Sequence, residues 1–363
     1  MPNRLTLLTS RYLVYISIAE LVAALYVVTA GLGLCHARLM FESVLPSFIA
    51  AVAVSYSSSS LRSSAGQAVS AIQGLAALAS WAVAVGGIAA SLFGYTESLG
   101  LSLVVLGISL AMITAFSLKR IDVRLSILTL GYTQALGGLM LLLLRGLSTF
   151  DLALAFVGVE AVGAIFAVTL HSFPSTFGDG PSFALTLTTF ALLTTSALLA
   201  VRGSRLFAPL LGASMLSSLP AFRFERSRGY LAKARTSRNP VARGGMLYFL
   251  YGHLFAFASL LADGALLIST VRLQINVLIL VHAVVLGVVM IFVLVHAPMM
   301  LPVIMGWPSA RRYNLTPYVL QALGAVIWPL NMHVSFFLIG LALVFDALIV
   351  KPSGGPMPLS LVR

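Results

Sequence analysis

One stretch constrains this chain more than any other. Asn276–Trp307 reads NVLILVHAVVLGVVMIFVLVHAPMMLPVIMGW and carries no charged residue. A helix of about 20 such residues spans a hydrocarbon core of about 30 Å. In lipid a backbone must satisfy its own hydrogen bonds, so an apolar run of this length is read as a membrane-spanning helix. It also holds two histidines, His282 and His296. Fourteen positions fall about 40° short of four α-helical turns, so an ideal helix presents both rings on one face, about 21 Å apart along the axis.

The rest of the chain repeats the pattern. Of its 363 residues, 60% are hydrophobic and 9% charged, against about 25% charged in a soluble domain. The apolar runs do not alternate as barrel strands do. The expected fold is an all-α, polytopic transmembrane helix bundle of about twelve helices, in a single integral membrane domain over residues 1–363. Spans one to eight are placed at about 12–34, 41–56, 68–94, 99–118, 125–144, 151–172, 182–201 and 206–222. A basic loop follows at 223–245. Spans nine to twelve are placed at about 246–270, 275–304, 316–330 and 332–350, with Trp328–Asn331 as a tight turn between the last two. The N-terminal apolar run is too long for a signal peptide and is read as a retained first helix.

The charges orient this arrangement. Arg4, Arg11, Arg62, Lys119, Arg120, Arg124, Arg311, Arg312, Lys351, Arg363 and the basic loop fall on one side. Arg38, Arg145, Arg202, Arg205 and Arg272 fall on the other. The positive-inside rule then places both termini in the cytoplasm (N-in/C-in), with a cell-membrane location. The net charge of +12 is explained by these loops and does not call for nucleic acid. The loop is a topology anchor, with anionic lipid or a partner subunit as its functional reading. Cys35 is the lone cysteine, and no CxxCH, Walker, HExxH or nucleophile-elbow motif occurs.

The topology sorts the six histidines into two groups. His36, His282 and His333 belong to the outer half, and His171, His253 and His296 to the inner half. A polar ring inside a spanning helix is a functional candidate by default. Two rings on one helix, each with partners at its own depth, point to two b-type haems with axial imidazoles. His282 is expected to face His36 or His333, and His296 to face His253 or His171. Copper is the alternative, since Met299, Met300, Met305 and Met332 lie near these histidines in sequence and thioether with imidazole suits Cu(I). Glu20, Glu160, Asp263 and Asp346 fall inside spans and are candidates for a proton path.

Two segments carry a resemblance. Cys35–Phe41 (CHARLMF) resembles the HAHEMLFG segment of the NnrS-type membrane proteins, and His282–Gly287 (HAVVLG) resembles the HAxxxG start of a later helix in that family. Arg38 stands where that family has its second histidine. The resemblance implies a twelve-helix, haem- and copper-containing protein of nitric oxide metabolism, with His36 and His282 as site residues. Helix count and histidine placement are also similar to the hydrophobic subunit of archaeal b558/566-type cytochromes. The expected function is an electron-carrying haem subunit of a respiratory membrane complex, exchanging electrons with a quinone or another redox subunit. A haem–copper protein and a metal-free secondary transporter are the alternatives.

Overall fold

The computed structural model describes residues 4–60, 67–118, 120–143, 149–305 and 313–350. These residues are helical throughout, with no strand among them. Ten helices are long and apolar enough to cross a membrane: α1 (Leu5–Val28), α2 (Gly33–Ser57), α3 (Val69–Phe93), α4 (Thr96–Phe116), α5 (Ile121–Leu143), α6 (Asp151–Thr176), α7 (Phe183–Val201), α10 (Pro240–Ser269), α11 (Val277–Pro302) and α13 (Met332–Val350). Two shorter apolar helices, α8 (Phe207–Ala221) and α12 (Thr316–Ile327), complete the expected twelve. Between α8 and α10 lies a short polar helix, α9 (Ser227–Thr236). The chain is therefore an all-α, multi-pass membrane protein.

Element positions follow the hydropathy closely, but three helices start earlier than expected: the second begins at Gly33 rather than near 41, and α10 begins at Pro240, inside the expected loop 223–245. The first helix begins at Arg4 rather than near residue 12. Nothing in Arg4–Arg11 breaks a helix, so it extends beyond its apolar part, and the chain turns at Ala30–Leu32. The Trp328–Asn331 turn is present. Asn331 N–H donates to the Ile327 carbonyl (2.9 Å), and its side chain caps the next helix by accepting from Val334 N–H (3.1 Å). Arg62, Lys119, Arg145, Trp307, Arg311, Arg312, Lys351 and Arg363 lie outside the described residues.

Three spanning helices contain a π-helical segment: Leu39–Val44 in α2, Val157–Val162 in α6 and Ala283–Val289 in α11. A π segment bonds i to i+5 and takes up about one extra residue relative to an α-helix. Backbone carbonyls released by such irregularities must find other donors within the bundle. Gln321 Nε2 donates to the Leu286 carbonyl (2.8 Å) inside the third segment. Pro298 lacks the N–H that would meet the Leu294 carbonyl. The Tyr248 hydroxyl lies 3.5 Å from that oxygen and shares its one proton between it and Asp346 Oδ1 at 3.3 Å.

The described residues form two compact units. One lies within Met1–Val168 with Ala200–Ser204, the other within Thr169–Leu199 with Arg205–Arg363. In the first unit α4 and α5 meet backbone to backbone, through Gly100 against Gly138 and Gly107 against Gly131. A methyl at any of these four would strike the opposing helix, the close approach that small residues permit in membranes. The second unit uses the same device between α8 and α10, at Gly212 and Gly264.

Candidate functional site

The second unit brings His253 and His296 together. His253 on α10 is fully buried, and its Nδ1 lies 2.8 Å from the Phe249 carbonyl. His296 on α11 is 8% exposed, with its Nδ1 2.9 Å from the Phe292 carbonyl. A carbonyl only accepts, so each ring carries its proton on Nδ1 and keeps a lone pair on Nε2. The ring centroids are 5.2 Å apart at 76°. The Ser172 hydroxyl on α6 lies 3.1 Å from His296 Nε2 and donates to it. His253 Nε2 has no protein hydrogen-bond partner among the described residues.

Aromatic rings enclose this pair. Phe173, Phe249, Phe257 and Phe292 stand 4.2–5.8 Å from the His253 centroid. The immediate surroundings of the His253 ring are aromatic and apolar. A buried acceptor without a donor costs about 1–3 kcal/mol. His171, the third histidine expected at this depth, is half-buried one residue before Ser172, so its side chain leaves α6 about 100° away.

His282 Nδ1 bonds the Leu278 carbonyl at 2.9 Å, and its ring lies flat on Trp328, with centroids 3.9 Å apart and 12° between planes. His333 is exposed in the first turn of α13. His36 belongs to the first unit, where its Nδ1 holds the Ala24 carbonyl at 3.0 Å. The π segment Ala283–Val289 explains why His282 and His296 meet different neighbours. It reduces their spacing to about thirteen α positions, so the rings leave the helix roughly 140° apart rather than 40°.

The four carboxylates singled out in the sequence all lie within the bundle. Glu160, in the π segment of α6, is fully buried, and neither oxygen has a protein partner among the described residues. Gln134 on α5 is also fully buried, with its amide beside the Glu160 carboxyl. It shares a helix face with Gly137, which packs on the Glu160 side chain. Glu20 accepts from the Ser43 hydroxyl at 2.6 Å. Asp346 accepts from Tyr248 at 3.3 Å. Asp263 is half-buried and packs against Gly287, where a Cβ would meet its Oδ2 at 2.5 Å.

Sequence reading missed Ser172, Phe173, Trp328 and Gln134. Gln134 alone left a signal, as a lone amide within an apolar span. Met299 and Met332 are 41% and 42% exposed, and Met305 is buried. Among the described residues no cluster of three or more His, Cys, Asp or Glu has metal-holding geometry.

A bis-histidine haem between His253 and His296 does not fit. Axial imidazoles point their nitrogens at one iron from opposite sides, about 4 Å apart. Here one ring is set edge-on to the other, and phenylalanines fill the space a macrocycle needs. A single ion approached by two Nε2 atoms asks for far less room. Compared with known proteins, the chain matches no family model, no curated protein and no solved structure.

Proposed function

We propose that this chain is a redox membrane protein of the cell membrane, in which His253 and His296 hold one metal ion through their Nε2 atoms. Copper is the favoured ion, because buried neutral imidazoles suit it. The observation that carries this reading is the buried Nε2 of His253, without a protein partner among the described residues, enclosed by aromatic rings beside a second imidazole of the same tautomer. Ligating imidazoles characteristically donate their other N–H to a carbonyl or carboxylate, which fixes the ring. Both rings are fixed this way. Bound metal would supply one-electron chemistry. The chain's own part would be to orient the two Nε2 atoms, with the Ser172 hydroxyl releasing His296 Nε2 when an ion binds.

The resemblance to the haem- and copper-containing NnrS-type proteins shares the metal class of this reading, but through His36 and His282 rather than His253 and His296. A quinone or a neighbouring redox subunit is the proposed electron partner. Haem b enters only with one histidine of this chain per iron, His282 being the candidate in the outer half. The test is metal analysis and reduced-minus-oxidised optical spectroscopy of the purified protein. Stoichiometric copper that disappears in His253→Ala supports the proposal. Protein loaded with neither copper nor haem, after expression with both available, refutes it.

A second reading is a proton-coupled transporter without metal. It is favoured by the buried carboxylates at the π segments, since interrupted spanning helices form the ion sites of many carriers. A buried carboxyl at such depth is kept neutral or paired. An infrared titration distinguishes the two readings: carboxyl bands lost in Glu160→Gln and Asp263→Asn, with no metal in the wild type, favour transport.

A further inference from the structure

The basic segment 223–245 contains seven cationic side chains and one acid, Glu225. The structure divides the cations into two sets with different work. Three of them fasten α9 to the α6–α7 turn. Arg226 pairs with Asp179 Oδ2 at 2.7 Å. Lys233 Nζ donates to the Phe177 carbonyl at 2.6 Å, and Arg223 Nε donates to the Gly180 carbonyl at 3.3 Å. The Tyr230 hydroxyl adds a bond to Asp179 Oδ2 at 2.8 Å, and the Phe177 ring stacks on Tyr230 at 4.6 Å. Tyr230 and Ala234, one turn apart, form the buried face of the helix. So α9 is a docked element, and its orientation is set.

The other set is Arg228, Arg235, Arg238 and Arg243. All four are exposed, and none pairs with an acid among the described residues. Arg228 and Arg235 project from the docked α9, Arg238 lies in the connection that follows it, and Arg243 lies in the first turn of α10. The segment joins the apolar helix α8, which ends at Ala221, to α10, which starts at Pro240. It therefore lies against the membrane surface. Guanidinium groups are planar forks that match phosphate oxygens in pairs.

We propose that Arg228, Arg235, Arg238 and Arg243 form a binding site for the phosphates of anionic phospholipids. Charge complementarity selects this occupant: a basic, interfacially placed helix with almost no acid faces the one abundant anion at that depth. The site stands whether or not a metal occupies the histidine pair. It is linked to that pair by contact, since Tyr230 packs on Phe173 at 5.5 Å and Phe173 on His253 at 4.6 Å.

The test uses the full chain in nanodiscs of phosphatidylcholine with a minor fraction of phosphatidylglycerol. Lipids retained after gentle release are counted by native mass spectrometry. The wild type is expected to enrich phosphatidylglycerol, and enrichment is expected to fall about fivefold for each Arg→Gln change and with added salt. Arg→Lys variants, which keep the charge, are expected to keep most of it. Circular dichroism establishes that the quadruple glutamine variant is folded. Equal retention of both lipids by the wild type, or unchanged enrichment in the quadruple variant, overturns the proposal. So does loss of an acidic partner protein, rather than of lipid, on arginine removal.

Discussion

Replacing His253 with phenylalanine separates a metal ligand from a packing residue. The ring slot is already aromatic, bounded by four phenylalanines, so a phenyl ring fits with minor adjustment. The change removes an acceptor that is fully buried without a donor, worth about 1–3 kcal/mol. It also removes the 2.8 Å Nδ1–H bond to Phe249, worth about 0.5–1.5 kcal/mol. With a chelator present, the variant is therefore expected to be more stable than the wild type by about 1 kcal/mol. At this chain length that is roughly 1 °C or somewhat more in the melting midpoint. Cu(I) at about a hundred times its Kd stabilises only a protein that binds it, by about 2.7 kcal/mol. Under those conditions the order reverses, and the wild type leads by about 1.7 kcal/mol, the difference of the two terms. The assay is thermal unfolding in nanodiscs, with and without copper. A variant less stable than the wild type in chelator shows that Nε2 has a protein partner and removes the premise. Equal copper effects on both proteins remove His253 as a ligand.

Three further outcomes follow from named contacts. Ser172→Ala deprives His296 Nε2 of its 3.1 Å donor and is expected to destabilise the metal-free protein by about 1–3 kcal/mol; chemical unfolding in detergent measures it. Gly107→Ala places a methyl against the Gly131 carbonyl and Ala135 on the facing helix. With backbone as the obstacle, a loss of about 1–3 kcal/mol or more is expected, whereas Gly74→Ala, with open space at its Cβ, serves as the neutral control. Asp179 lies outside the spans. Burial acts to raise its pKa, but the Tyr230 hydroxyl, the Gly180 N–H and Arg226 together hold it below the ordinary carboxylate range. A lowered folded pKa stabilises above the unfolded value near 4 and is lost as pH falls through the folded value. The docking of α9 is expected to persist at neutral pH and to loosen below about pH 4, with Asp179→Asn loosening it at pH 7. Hydrogen exchange across 226–238 reads this out, and protection that is unchanged in both conditions would sink the latch.

How much of this was legible in the sequence depends on which interaction carried the information. Hydropathy placed the helices, because the hydrocarbon core imposes length and composition on each one separately. The Trp328–Asn331 turn was legible for a similar local reason. Partners were less so. Shared depth put His253 and His296 in one group, and their ring centroids lie 5.2 Å apart. For His282, depth gave no sign of Trp328, which stacks on its ring. Depth fixes one coordinate, while the angle around each helix fixes the other. The π segment Ala283–Val289 changed that angle by about 100°, and nothing in AVVLGVV announces it. Ser172 was invisible for another reason: hydroxyls in spanning helices bond their own backbone so commonly that no sequence pattern marks the exception.

The π segments also connect features that the sequence presents separately. Glu42 sits in the first and Glu160 in the second, while Gly287 of the third receives Asp263 from α10. Each of these carboxylates has at least one oxygen without a protein partner among the described residues. A π turn is less favourable than an α turn, and so is an unpaired carboxyl in the interior. Three coincidences of two unfavourable features are not expected from packing alone. Each π turn re-aims the side chains beyond it and frees backbone carbonyls. In the third segment Gln321 already engages the Leu286 carbonyl, and the missing Cβ of Gly287 admits a carboxylate. Protons can load at such places without a full charge entering lipid. A redox centre whose charge changes inside a membrane needs compensating protons nearby, and so does a carrier that moves a cation. The carboxylates therefore serve either reading, and the decision between them rests on the lone pair of His253.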